Sequence, residues 1–141
     1  MIRSAEMSDV KDLTNLCLQL GYAETETDIK ERLSFIIEKR DQALFVYENQ
    51  NGLVSGWVHI FGKHLLEGVF AEIGGLVVDC KHRRQGIGKM LMKKCESWAM
   101  EHGYSEIRVR SNGIREKAHQ FYLDMGYKNI KWQKVFNRLI K

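Results

Sequence analysis

The chain has no proline, no apolar run long enough to cross a membrane, and only three cysteines in 141 residues. With no proline, no low-complexity tract and no internal repeat, nothing marks a linker, so a single domain over residues 1–141 is expected. The first 20 residues lack the charged, apolar and cleavage-site order of a secretory signal, and the expected compartment is the cytoplasm. Cys17, Cys80 and Cys95 are scattered and odd in number, which fits neither a disulfide framework nor a metal knuckle. The histidines at 59, 64, 82, 102 and 119 form no close ligand pair, so no metal is expected. The formal net charge is +4, and apart from Lys81-His82-Arg83-Arg84 the basic residues are spread along the chain. Clustered charge with interleaved aromatics is missing, which argues against a nucleic-acid track and for a local anion site.

What is present is the composition of a globular protein, 44% hydrophobic and 28% charged. Residues 2–5 read as a short strand. Val10, Leu13, Leu16, Cys17 and Leu20 recur at helical spacing, and Thr25 to Asp28 resembles a capping box opening a second helix that ends near Arg40. Residues 43–48 and 53–61 read as strands joined by the turn residues 49–52. Residues 69–79 form a third long strand with a bulge expected at Gly74-Gly75. A helix over 87–102, a strand over 105–111, a helix over 115–125 and one or two strands within 127–140 complete the order. The unit around 70–111 implies one parallel pair and the hairpin implies antiparallel neighbours, hence a mixed α/β sheet with helices on both faces.

The chemistry concentrates at Arg83-Arg84-Gln85-Gly86-Ile87-Gly88-Lys89, a glycine-containing basic turn between a strand and a helix. Glycines let backbone N–H groups approach a phosphate, and the helix N-terminus adds a favourable dipole. The nucleotide P-loop would need glycine at Arg83 and Ser or Thr at Met90, and the dinucleotide fingerprint would need glycine at Leu91.

The pattern Arg83-x-x-Gly86-x-Gly88 instead resembles the acetyl-CoA-binding loop of the GNAT N-acetyltransferase superfamily. Residues 72–79 are similar to that family's splayed central strand. Ala118-x-x-Phe121-Tyr122-x-x-x-Gly126-Tyr127 resembles its second signature. The resemblance implies a mostly antiparallel sheet of six to seven strands, and it allows a homodimer. It implies acetyl-CoA as acetyl donor and a primary amine, most simply of a small molecule, as acceptor. The backbone of Gln85, Gly86, Ile87, Gly88 and Lys89 would cradle the pyrophosphate, with charge from Arg83, Arg84 and Lys89. Leu76, Val77 and Val78 would pair through their main chain with the pantetheine arm, and an N–H of Val77 or Val78 would polarise the thioester carbonyl. Asn112 would contact the arm. Tyr122 is the candidate general acid for the departing thiolate, and Glu72 the candidate base. A non-catalytic acetyl-CoA sensor and a protein-lysine or N-terminal acetyltransferase are the alternatives.

Overall fold

The computed structural model describes residues 1–83, 85–111 and 115–141. The chain divides into two compact units, Met1–Arg110 and Ser111–Lys141.

The first unit is a sheet of five strands in the order β1-β2-β3-β4-β5: Ile2–Ser4, Gln42–Glu48, Val54–Leu65, Gly68–Val78 and Ile107–Val109. β1 to β4 are mutually antiparallel, and β4 and β5 are parallel. The β2–β3 turn closes because Asn49 Oδ1 accepts from the N–H groups of Asn51 and Leu53, at 2.9 and 3.1 Å. Helices α1 (Val10–Gln19) and α2 (Glu26–Glu38) cover one face. Their Leu13, Leu16, Ile29 and Leu33 are buried in one cluster with Val46 and Val77, with Trp57 and Leu44 packed against it. The expected capping box opens α2: Thr25 Oγ1 accepts from Asp28 N–H at 3.1 Å and Asp28 Oδ2 accepts from Thr25 N–H at 3.1 Å. Helix α3 (Ile87–Glu101) packs on β2, β3 and β4 and buries Ile87, Leu91, Met92, Cys95 and Ala99. Period-2 alternation sends Val58 and Ile60 to the face opposite Trp57 and His59.

The bulge expected at Gly74-Gly75 is present. His59 pairs with Gly75 and Ile60 with Ile73, so Gly74 is the extra residue. Both glycines are sterically required. A Cβ on Gly75 would lie 2.7 Å from Trp57 Cη2, and one on Gly74 would lie 2.8 Å from His59 Nδ1. Gly75→Val is therefore expected to destabilise the protein by about 1–3 kcal/mol, the usual cost of forcing an extra group against a packed ring. Thermal melts of the two proteins check this.

In the second unit, α4 (Glu116–Asp124) ends at Gly126, whose φ of +92° lets the chain reverse while Tyr127 N–H bonds to Tyr122 O at 3.0 Å. One expectation needs correcting. The described residues form five strands, not six to seven, and residues 127–141 carry neither helix nor strand. Trp132, Val135, Phe136, Leu139 and Ile140 in that segment are exposed. Strand-forming residue types make a strand only where a neighbouring edge takes their hydrogen bonds.

Candidate active site

β4 carries the site because its two edges differ. One edge pairs with β3 along the whole strand, from Gly68 to Val78. The other pairs with β5 only at Ala71, Glu72 and Ile73. From Gly74 onward no described strand pairs with that edge, the arrangement by which an extended, amide-rich ligand can add to a sheet. Val77 is buried, while Leu76 and Val78 are half-buried.

Beyond Val78 the chain makes a 3-10 turn, Cys80–His82, and enters α3. Asp79 caps the turn by accepting from Lys81 N–H at 3.0 Å. That bond is the main reason its carboxyl is held below the usual range. Gln19, at the end of α1, grips the same turn twice: its Oε1 accepts from Cys80 N–H at 2.9 Å and its Nε2 donates to Asp79 at 3.3 Å. Gly86 takes the left-handed conformation, φ +78°, just before α3, and no side chain caps the helix. The N–H groups of its first turn are thus free of an intrahelical partner and point where an anion would sit. Ile87 is buried and anchors this end, while Gln85 and Lys89 are exposed. Arg83 folds back and donates from Nε to Val78 O at 3.4 Å. Arg83, the Gly86 turn and the unpaired strand edge thus all belong to the first unit. Arg84 and Asn112 lie outside the described residues.

Glu72 points to the α1/α2 face, paired in register with Phe61. It is buried, and its Oε1 accepts from Arg110 Nε at 3.0 Å and from Lys63 Nζ at 3.4 Å. Glu24 is engaged by Arg32 at 3.0 Å. Tyr122 belongs to the second unit, where its ring meets Phe121 and Tyr127 edge-on at 5.2 and 6.1 Å. Burial pushes its phenol up from the ordinary value, with the charge of Arg115 opposing.

Sequence reasoning missed a cleft of about 570 Å³ lined by residues 39–42 and by His59, Phe61 and Gly62. Trp57-x-His59-x-Phe61 places a polar residue in step with two core aromatics, and that was the available signal. Among the described residues no three of His, Cys, Asp and Glu could hold a metal ion, and no helix is long and apolar enough to cross a membrane.

The chain belongs to the acetyltransferase (GNAT) family, whose sequence pattern matches residues 7–127. Human N-acetyltransferase 8 is 30% identical over 104 residues, covering 72% of this chain and 45% of that protein. The chain spans less than half the length of the curated relatives it matches. Among solved structures, the aminoglycoside antibiotic 6'-N-acetyltransferase from Acinetobacter haemolyticus superposes with a TM-score of 0.85 at 16% identity, covering 100% of this chain and 99% of that one. A related aminoglycoside acetyltransferase in complex with a bisubstrate analogue built on coenzyme A gives 0.87 at 14% identity, covering 99% and 97%. At such identities the likeness concerns the fold.

Proposed function

We propose that the chain is an acetyl-CoA-dependent N-acetyltransferase that acylates a primary amine of a small molecule by direct attack on the thioester. The observation that carries this reading is the unpaired edge of β4 beyond Ile73, followed along the chain by the Gly86 turn that opens α3. The residues present fit coenzyme A. Its pyrophosphate matches the uncapped N–H groups of residues 87–89 and the charges of Arg83, Arg84 and Lys89, and its pantetheine arm matches the backbone of Leu76, Val77 and Val78. When bound, the cofactor supplies an activated acetyl group. The chain would align that group on β4, with an N–H of Val77 or Val78 at the carbonyl and Asn112 on the arm. Tyr122 would protonate the departing thiolate. The amine would arrive on the face that carries Glu72, and its protons would leave on that side. The family match runs through both units, which supports treating residues 1–141 as one domain.

Incubating the protein with acetyl-CoA and a panel of amines, with free thiol as the readout, tests this. Amine-dependent thiol release is expected. Tight binding of acetyl-CoA with no thiol release by any amine would make the chain a sensor. The double substitution Arg83→Ala/Lys89→Ala is expected to weaken coenzyme A binding about tenfold or more, since charge-assisted hydrogen bonds contribute about 1.5–3 kcal/mol each. The melting temperature should hardly move. Calorimetric titration checks this.

A further inference from the structure

His59 is a histidine on the core side of β3 at the point where β4 loses its β5 partner. Its Nε2 lies 2.8 Å from Gln42 Oε1. An amide oxygen only accepts, so Nε2 carries the hydrogen and Nδ1 keeps its lone pair. Nδ1 is the atom nearest to where a Cβ on Gly74 would stand, 2.8 Å away, with Phe61 Cε1 3.1 Å from the same point, so this nitrogen faces the bulge with no side chain from Gly74 in between. His59 also lines the 570 Å³ cleft, with Phe61 beside it at a ring-centroid distance of 5.3 Å.

The proposed function fixes where the reacting atoms fall. If the pyrophosphate sits at residues 85–89 and the arm runs back along residues 78 to 76, the thioester lies at the far end of the arm, towards the bulge. We propose that the cleft is the acceptor subsite and that His59 Nδ1 is the base that takes the proton from the attacking amine. This deepens the reading above and rests on it. The ammonium first yields one proton to Nδ1, which passes it to solvent. The amine nitrogen then attacks the carbonyl carbon and becomes strongly acidic as the N–C bond forms, so a neutral imidazole is basic enough to take the second proton. The C–S bond breaks, its electron pair leaves on sulfur, the thiolate takes up one proton, and His59 returns its own to solvent. Ammonium and thioester thus give the amide, the thiol and one proton.

The surroundings favour this division of labour. Glu72 has two cationic donors converging on Oε1 and is held as their counter-ion. Burial pushes the His59 imidazole below its ordinary value, which keeps it neutral and able to accept. The other charged groups on this side are Lys39, Arg40 and Asp41 in the cleft and Lys63 further along β3. Asp41 accepts from the Tyr104 hydroxyl at 2.7 Å.

The test compares wild type, His59→Ala, His59→Gln and Glu72→Gln for turnover of an amine that the wild type acetylates, alongside acetyl-CoA affinity and thermal melts. His59→Ala is expected to lose about a hundredfold in kcat with acetyl-CoA binding intact, and added imidazole should restore part of the rate. The acid limb of the wild-type kcat/KM profile, which falls as Nδ1 takes up a proton, should vanish in His59→Gln and survive in Glu72→Gln. Turnover within twofold of wild type in folded His59→Ala, or loss of the acid limb only in Glu72→Gln, would overturn the assignment while leaving the enzyme reading intact. A wild type that binds acetyl-CoA and turns over no amine would end that reading, and this one with it.

Discussion

Tyr122→Phe is expected to lower kcat about a hundredfold while leaving acetyl-CoA affinity and the melting temperature close to those of the wild type. Phenylalanine keeps the ring that meets Phe121 and Tyr127 edge-on, so α4 and its end at Gly126 lose no packing. Only the hydroxyl goes. Burial raises the phenol, so the proton is in place throughout the working range. The thiolate that leaves coenzyme A is then the group that loses its donor. Steady-state kinetics with calorimetry separates this outcome from a binding defect. Unchanged kcat would remove Tyr122 from the acid role.

The second large effect concerns stability. Arg3 on β1 holds Asp9 with two hydrogen bonds of 2.9 Å each, and also reaches Glu48 at 3.1 Å. Asp9 is buried, and its Oδ2 additionally accepts from Glu6 N–H at 2.8 Å. The pair ties the sheet edge to the start of α1. Arg3→Met leaves that carboxylate buried without its cation, at an expected cost of about 3 kcal/mol or more. The Arg3 bonds hold the Asp9 carboxyl below its usual range. Its contribution is therefore fully present above the unfolded value of ~3.9 and fades as pH falls through the lower, folded value. Denaturant melts should show wild-type stability dropping with acid below about pH 4, with a shallower drop in Arg3→Met. A loss below 1 kcal/mol would show that Glu48 and solvent screen the pair more than its burial implies.

Much of this was legible in the sequence because the signals were local. Helical periodicity, the Thr25–Asp28 box, the 49–52 turn and the Gly74-Gly75 bulge each depend on neighbours within a few positions, and each forms as expected. The glycine turn was legible for the same reason, since Gly86 must adopt a conformation that other residues avoid. The one or two strands expected within 127–140 do not form, because strand-forming residue types alone do not supply the partner edge a strand needs. Three side-chain placements were hidden because they depend on contacts distant in sequence. Gln19 grips a turn some 60 residues away. Lys63 and Arg110 converge on Glu72. His59 meets Gln42 across the β2–β3 pair. Glu24 and Glu72 each have cations of their own in the fold, Arg32 for the first and Lys63 and Arg110 for the second.

The most direct measurement is the stoichiometry of products. Mass spectrometry of the amine and a thiol assay on the same reaction should give one acetylated amine for each coenzyme A released, with the acetyl group on nitrogen. Thiol release without acetylated amine, or acetyl-CoA recovered intact with every amine tried, would contradict an acetyltransferase that holds its donor on β4 and the glycine turn of α3.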